Sequence, residues 1–291
     1  MMALRLARSE RRRFARAAAT LTWRRVAQQN KEPVTWEATV DKPWRGPGAV
    51  IILAEKLVPH EVLAAATELV ETIRFDRDED SVDGAPTFEL RWVSNGQYTH
   101  DGLASIFRET IEQRLLPLVC RSELGHVKGM HGGNLVLCEA LVRLYEDGAR
   151  RVHPAHYDAD ALVTAVLELP IGQRHQRSQS KDHGVSADGS EEASSRGAHS
   201  GFDGPGFYVQ PGAHVSSRSP VQLSAGDVVA HSFDLQHGVD VHHGRRASVV
   251  LWFTSSMDAC TDKSRPWYER AAAAGDIDAI YNLGKMIDRS A

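Results

Sequence analysis

The chain has 291 residues, of which 42% are hydrophobic and 25% charged, and its formal net charge is −4. Such a length suits one large domain or two small ones, and the mildly acidic balance argues against broad non-specific binding to nucleic acid. No apolar run approaches the roughly 20 residues that a membrane-spanning helix requires, so no membrane span is expected.

The N-terminal segment, residues 1–32, is basic: eight arginines stand among the first 25 residues against one acid, Glu10. An arginine-rich, acid-poor segment that is compatible with a helix is typical of an organellar transit peptide. A solvated basic helix is the alternative, and both stay open. The expected location is therefore cytoplasmic, or organellar if the segment is a transit peptide.

The cysteines favour a reducing compartment. Cys120, Cys138 and Cys260 are odd in number, widely spaced and without a CxxC pair. A set of this kind predicts no disulfide framework.

The first half of the chain alternates strand and helix patterns. Residues 48–56, "GAVIILAEK", form a β-branched apolar run that predicts a strand. The segment "VPHEVLAAATELVETIRF" then has apolar residues near the helical period, with Pro59 in the first turn. Residues 88–94, "FELRWVS", predict a second strand, and residues 102–120 a second helix.

From residue 135 the pattern changes to short β-rich runs that are punctuated by glycine and proline. This favours an antiparallel sandwich or barrel over alternating βα units, and the helices before it make the fold class α+β. Residues 171–204 interrupt the β pattern with a stretch rich in serine, glycine and charge. That insert is too polar to offset its ordering entropy, so we expect disorder. A neutral insertion and a lid over the substrate are both open readings.

Two residues at the start of a predicted strand could hold a metal ion. In "HPAHYDADALVTAVLEL", His156 and Asp158 stand at positions i and i+2. On a strand such side chains share a face about 6.6 Å apart, so an imidazole and a carboxylate can converge on one ion. The HxD pair is a weak pattern by itself, because the chain has 14 histidines and 38 acids.

The segment "LQHGVDVHHGRRASVVLWF" completes the pattern. His237 follows one predicted strand, and nine residues later Arg246 opens the next, with Ser248 on the same face. A guanidinium and a hydroxyl beside a metal suggest a small carboxylate co-substrate. Two histidines and one carboxylate that leave open positions are the arrangement used for non-haem Fe(II) oxygen chemistry.

Other polar residues near these motifs are weaker candidates. Asp160 shares the face of Asp158 and stays a rival ligand. Four histidines are expected not to be ligands: one on the opposite face of the HxD strand, one beyond a strand end, and two in the turn before Arg246. These are His153, His231, His242 and His243.

At this point the sequence resembles the iron(II)- and 2-oxoglutarate-dependent dioxygenases, and within them the prolyl-4-hydroxylase-like branch. The resemblance covers about residues 49–255, and its pieces stand in the family's order. Prolyl hydroxylases often have lysine at the position of Arg246, so the sub-branch stays open. The pieces are "LYEDG", "HYD", "LVTAVLEL", "GPGFY", "SAGDVV", "QHGV", "GRRAS" and "VVLWF".

The resemblance implies a distorted double-stranded β-helix, or jelly roll, in a domain spanning residues 45–256. It implies that His156, Asp158 and His237 hold Fe²⁺ as the catalytic centre. It also implies that 2-oxoglutarate and O2 are co-substrates, that ascorbate serves as a reductant, and that the aspartate ligand favours hydroxylation. The residues implied for 2-oxoglutarate are Arg246, Ser248 and Tyr145.

The C-terminal segment, residues 265–288, reads "PWYERAAAAGDIDAIYNLGKMI" from Pro266 and predicts a helical hairpin around Gly275 and Asp276. It resembles a Sel1-like repeat, which implies a protein partner. Such repeats are stable by stacking, and one repeat is fewer than the usual minimum. A lost array, an array that continues, and a hairpin docked on its own domain therefore stay open.

Three functional hypotheses follow. The first is a hydroxylase of protein or peptide side chains that couples oxidation to decarboxylation of 2-oxoglutarate to succinate and CO2. The second keeps the metal centre but oxidises a small molecule or nucleobase. The third is a non-catalytic scaffold with a degenerate oxygenase domain, against which the intact set of His156, Asp158, His237 and Arg246 argues.

Overall fold

The computed structural model describes residues 21–26, 33–40, 48–126, 135–146, 150–171, 201–212, 214–262 and 265–288. Most of the basic N-terminal segment lies outside these ranges, as do residues 172–200 of the predicted insert. The predictions for a transit peptide and for a disordered lid therefore stay predictions.

Strands dominate the described chain, and the helices lie between the strands of its first half and after the last strand. The helices are α1 (His60–Thr72), α2 (Asp101–Thr110), α3 (Leu116–Arg121), α4 (Met257–Thr261), α5 (Pro266–Ala273) and α6 (Ile277–Asp288), with a π-turn at Ile111–Leu115 and 3₁₀ turns at Glu123–His126 and Val215–Ser217. The strands before the HxD pair are β1 (Arg24–Arg25), β2 (Thr35–Val40), β3 (Ala49–Ala54), β4 (Asp76–Glu79), β5 (Pro86–Ser94), β6 (Gln97–Tyr98) and β7 (Val136–Tyr145). The strands from the HxD pair onward are β8 (Val152–His156), β9 (Val163–Leu169), β10 (Phe202–Asp203), β11 (Gly206–Val209), β12 (Ser219–Pro220), β13 (Val228–Ser232), β14 (His237–Asp240), β15 (His243–Gly244) and β16 (Arg246–Thr254).

The strands form two main antiparallel sheets. The large sheet has the order β1-β2-β3-β13-β9-β16-β7-β5-β4, with β6 beside β5. The small sheet has the order β12-β11-β14-β8, and β10 pairs separately with β15. Neighbouring strands such as β3 and β13 are far apart in the chain, as in a jelly roll. The predicted α+β class and the double-stranded β-helix core are confirmed.

Side-chain alternation along the large sheet builds two hydrophobic layers. Val166 and Val229 point between the sheets, where they meet Phe207 of the small sheet. Their sequence neighbours on β9 and β13 point outward and pack under the helices. Because both faces of the central strands are covered, those strands read as continuous apolar runs.

Both predicted helices are present, and the second is interrupted within its length. In α1 the buried residues Leu63, Ala66, Thr67 and Val70 follow the helical period. The second predicted helix is divided by a π-turn, and Pro117 stands in the first turn of α3. Proline lacks an N–H and its ring crowds the carbonyl four residues before it, so a widened turn at this point relieves the clash.

One prediction from the cysteines is wrong. Cys138 on β7 and Cys260 on α4 form a disulfide, with Cα atoms 5.2 Å apart. The two lie 122 residues apart in the chain. They meet because β7 pairs with β16, which runs almost directly into α4.

The C-terminal hairpin is docked on the β domain. Trp267 and Tyr268 of α5 are 0% exposed and belong to the core cluster on the helix side of the large sheet. The ring of Tyr268 lies 4.9 Å from that of Phe233, edge to face. The docked hairpin, one of the alternatives for this segment, is therefore observed, while a lost array and an array that continues stay predictions.

Candidate metal centre

Sheet pairing brings three predicted ligands together. His156 is the last residue of β8, and His237 is the first residue of β14, its antiparallel partner. The two histidines stand opposite each other in the register of the pair. Asp158 follows two residues after β8, and one ligand atom from each of the three lies within 4.8 Å of the others.

Each histidine presents Nε2 to the centre. Nε2 of His156 lies 3.4 Å from Asp158 Oδ1, and Nε2 of His237 lies 3.4 Å from Oδ2. Nδ1 of His156 faces Pro154 O at 2.9 Å, and Nδ1 of His237 faces Leu235 O at 3.1 Å. Because a carbonyl only accepts hydrogen bonds, Nδ1 is the donor in both rings, and Nε2 is the nitrogen that faces the carboxylate.

The carboxylate is oriented and kept ionised. Thr164 Oγ1 donates a 2.6 Å hydrogen bond to Asp158 Oδ2. Burial alone would raise the pKa of Asp158, but His237 and His156 hold that pKa well below its usual range. The centre therefore places an anionic oxygen beside two imidazole nitrogens.

This donor set fits a six-coordinate Fe(II) ion that has positions left for other ligands. The 3.4 Å separations between the Asp158 oxygens and the two Nε2 atoms keep the three ligand atoms close enough to share one ion. In this chain His156, Asp158 and His237 would hold the ion.

His231 lies against the triad, which the sequence prediction did not foresee. Its side chain is 0% exposed, and its ring centroid lies 4.1 Å from that of His237. Nδ1 faces Ser232 O at 3.1 Å, while Nε2 has no hydrogen-bond partner within the described residues. Burial lowers the pKa of His231 to about 3, so the ring is neutral. Alternation from Val229, which points between the sheets, could have indicated this position.

His153 is also closer to the site than strand alternation predicts. Its ring lies 4.1 Å from that of His156, edge to face, because β8 and β14 have a register shift beside it. Its Nε2 lies 3.1 Å from Asp80 Oδ2 and 3.2 Å from Arg143 Nη1. That nitrogen is engaged by other side chains, and His153 is not one of the clustered ligands.

The remaining rivals lie away from the centre. His242 and His243 are exposed, as expected for the turn before β16. Asp160 has a 70% exposed side chain and forms an ion pair with Arg265. Asp158, and not Asp160, is the carboxylate that lies beside the two histidines.

The residues predicted for the co-substrate lie between the sheets on β7 and β16. Tyr145 and Arg246 are register partners, and the guanidinium carbon lies 5.3 Å from the tyrosine ring. Arg246 is 1% exposed, and its Nη1 donates to Ser248 Oγ at 3.3 Å. Its Nη2 lies 2.7 Å from Glu168 Oε2 on β9, a contact that the sequence prediction missed.

A cavity of about 560 Å³ opens over the triad. Tyr145 and Ser248 line it, whereas Arg246 is absent from its wall among the described residues. The C-terminal helix α6 supplies a further part of the wall. The α6 residues that line the cavity are Tyr281, Asn282, Lys285 and Met286.

The cavity wall also carries a buried ionic cluster. Asp80, on the loop after β4, is 5% exposed and lies 3.0 Å from Arg143 Nη2 and 3.3 Å from Arg150 Nη1. Arg143 also pairs with Glu89 of β5. These contacts join the loop to β7 and β8 next to the metal centre.

The sequence matches no protein-family model and no curated protein. Among solved structures, one similar chain is an oxidoreductase of the 2OG-Fe(II) oxygenase family from Burkholderia pseudomallei, with a TM-score of 0.48 and 15% identity over 71% of this chain and 85% of that one. Another is a prolyl hydroxylase from Trichoplax adhaerens, solved with a peptide fragment of the hypoxia inducible factor oxygen degradation domain, with a TM-score of 0.46 and 11% identity over 74% and 87%.

A third similar structure is the non-heme alpha ketoglutarate dependent epimerase SnoN from nogalamycin biosynthesis, with a TM-score of 0.44 and 14% identity over 70% of this chain and 77% of that one. At these identities the functional assignment of the present chain rests on its own residues.

Proposed function

We propose that the chain is an Fe(II)- and 2-oxoglutarate-dependent dioxygenase. The observation that carries the proposal is the triad of His156, Asp158 and His237, in which both imidazoles turn Nε2 toward one carboxylate while Nδ1 donates to a backbone carbonyl. Three protein ligands on one side of an ion leave positions for a chelating co-substrate and for O2.

Residues of this chain bind and orient the co-substrate and keep water away from the reacting centre. Arg246 is the cation for the distal carboxylate of 2-oxoglutarate; Ser248 and Tyr145, which lie next to Arg246, line the cavity. When bound, iron and 2-oxoglutarate supply the oxidising power, with decarboxylation to succinate and CO2. Apolar wall residues such as Val166 and Phe207 exclude water from the reacting centre.

The first substrate class that we propose is a protein or peptide side chain, with hydroxylation as the outcome. Support comes from the order of the sequence motifs, which resembles the prolyl-4-hydroxylase-like branch, and from the aspartate in the triad. The neighbour from Trichoplax adhaerens is a prolyl hydroxylase that was solved with a peptide.

The second substrate class is a small molecule or a nucleobase. The cavity volume of about 560 Å³ falls within the usual range of small-molecule sites, and α6 closes part of its circumference. Succinate release in the presence of a panel of peptides and small molecules would separate the two classes. A chain that produced no succinate with any panel member, and bound no co-substrate, would fit the scaffold hypothesis.

Three further elements belong to the proposal. Ascorbate is the proposed reductant, and the C-terminal hairpin, as a Sel1-like unit, is the proposed contact for a protein partner. The proposed location is cytoplasmic, or organellar if residues 1–32 are a transit peptide. Within the described residues, every helix is too short or too polar to cross a bilayer.

Anaerobic titration of the purified protein with Fe(II) and then 2-oxoglutarate tests the function. We expect the weak visible charge-transfer band of the iron–co-substrate chelate in the native protein. The band should vanish in His156→Ala and in Arg246→Ala, and persist in His242→Ala, which removes an exposed histidine close by in the chain. A folded, iron-loaded native protein without the band would contradict the assignment.

A further inference from the structure

The guanidinium of Arg246 is already paired inside the protein. Its Nη2 lies 2.7 Å from Glu168 Oε2, and the two side chains are 0% and 8% exposed. The rings of Tyr145 and Phe202 lie 5.3 and 5.8 Å from the guanidinium carbon and shield it from water. One cation and one carboxylate thus form a neutral, buried pair between the sheets.

A dicarboxylate that reached Arg246 would bring a second carboxylate to the same guanidinium. Two carboxylates that share one buried cation leave an uncompensated negative charge, which a low-dielectric interior strongly disfavours. Uptake of one proton by the pair of acids removes that charge. Burial already raises the pKa of Glu168, and only the attraction of Arg246 opposes this rise.

Of the described charged groups around Glu168, Arg246 is the one that pairs with it. On one side of β9 lies β16, which carries Arg246. On the far side of β16 lies β7, which carries Tyr145. On the other side, Asp227 precedes β13, and its carboxylate accepts hydrogen bonds from the backbone N–H groups of Lys56 and Ser224, each at 2.9 Å. Asp227 is therefore held by other groups.

We propose that Glu168 is a built-in competitor for the distal carboxylate of the co-substrate. In the absence of co-substrate it neutralises Arg246, and it gives up that contact, with uptake of one proton from the buffer, when a dicarboxylate binds. Glu168 thereby sets the affinity and pH dependence of co-substrate binding as a specificity-determining residue. This inference rests on the proposed function, in which Arg246 receives 2-oxoglutarate.

Glu168→Gln removes the competing charge while it keeps the size of the side chain. We expect the Fe(II)-loaded variant to bind 2-oxoglutarate about tenfold more tightly, because the binding-competent form no longer has to displace an ion pair. The matched control is Glu146→Gln. It breaks the neighbouring pair of Glu146 Oε2 and Arg245 Nε, which are 2.7 Å apart with partly exposed side chains, and it should leave the affinity unchanged.

Calorimetry on the native protein supplies a second readout that needs no folded variant. Titration of the Fe(II)-loaded protein with 2-oxoglutarate near neutral pH, in buffers that differ in ionisation enthalpy, should show uptake of about one proton per site. Glu168→Gln should show none, and Glu146→Gln should behave like the native protein.

The outcomes separate the inference from the proposed function. Native binding without proton uptake would overturn the role of Glu168, as would equal or weaker binding by folded Glu168→Gln. Binding by Glu168→Gln but not by the native protein would support the inference in its strongest form. If neither bound 2-oxoglutarate in the presence of Fe(II), the proposed function itself would fail.

Discussion

The hydroxyl of Tyr157, the residue between two of the triad ligands, donates a 2.9 Å hydrogen bond to Asp278 Oδ1 on α6. The HxD segment and the C-terminal hairpin are therefore joined across 121 residues of chain. Burial and the nearby Asp278 raise the pKa of Tyr157, so the hydroxyl keeps its proton and remains a donor. The hairpin is tied to the metal centre as well as packed on the core.

Replacing Tyr157 with Phe removes this hydrogen bond and leaves the ring in place. Hydrogen bonds to charged groups contribute about 1.5–3 kcal/mol, so the free energy of unfolding should fall by that order. Urea denaturation measures the loss, and limited proteolysis should show faster cleavage in the hairpin. Tyr281→Phe, on an α6 tyrosine that is 62% exposed, is the control and should change neither. Unchanged stability of Tyr157→Phe would show that packing alone holds the hairpin.

The main features of the fold and the triad could be predicted from the sequence because they depend on local patterns. The period of α1, the β-rich runs after residue 135, and the spacing of His156, Asp158 and His237 are all readable along the chain. The two histidine segments meet in the structure as register partners of β8 and β14. The sequence patterns did not indicate which strands lie next to each other in the sheets.

Thr164 is a residue whose role in the site could not be predicted without the strand order. It is 0% exposed on β9, and its hydroxyl donates to Asp158 Oδ2 at 2.6 Å. In the sequence, Thr164 stands in a run of strand-forming residues, where nothing distinguishes it from a β-branched residue that only packs in the core. For His231, alternation from Val229 indicates the face of the strand, and the pairing of β13 with β9 places it opposite Thr164.

Thr164→Val should weaken Fe(II) binding, since it leaves Asp158 without the donor that orients its carboxylate. Loss of such a supporting hydrogen bond typically reduces metal affinity by about 10–100-fold. Competitive titration with a chelator measures the change. Thr67→Val is the matched control: Thr67 is equally β-branched and is 6% exposed on α1, where its hydroxyl has no partner within the described residues. Equal affinities of Thr164→Val and the native protein would rule out this role.

The disulfide makes stability depend on redox conditions. A cross-link between positions 122 residues apart, Cys138 and Cys260, restricts the unfolded chain, and removal of native bridges typically costs about 2–5 kcal/mol. Urea denaturation with and without a reductant should show a loss of that size. Cys138→Ser should reproduce the loss and abolish the effect of the reductant, whereas Cys120→Ser, outside the bridge, should keep it. A native protein that is insensitive to reductant would argue that the thiols are not bonded in solution.

The ionic cluster around Asp80 has no sequence signature, because its members come from four separate segments. Asp80 contacts His153, Arg143 and Arg150 at 3.1, 3.0 and 3.3 Å. Along the chain these are ordinary charged residues, and the acidic run before residue 81 suggests a solvated loop. Their meeting depends on strand order, in which β5 lies between β4 and β7.

Asp80→Asn should destabilise the protein in a pH-dependent way. Burial alone would raise the pKa of Asp80, but His153 and Arg143 hold it well below the usual value of 3.8. Because the folded state has the lower pKa, the contribution of the carboxylate is complete above pH 3.8 and is lost as the pH falls toward the folded pKa. At neutral pH, removal of one partner from a buried ion pair costs about 3–5 kcal/mol.

Urea denaturation of the native protein and Asp80→Asn across the acid range checks this prediction. The two free energies of unfolding should differ most at neutral pH and converge as the pH falls from 3.8 toward the folded pKa, where protonated aspartate and asparagine are both neutral. Asp83→Asn, on the same loop, is the control. Asp83 has a side chain that is 34% exposed and lies 2.5 Å from Arg150 Nη2. Because Asp83 is partly exposed and Arg150 keeps its contact with Asp80, this control should lose less stability than Asp80→Asn. A constant difference between native protein and Asp80→Asn at every pH would mean that Asp80 acts through its shape instead of its charge.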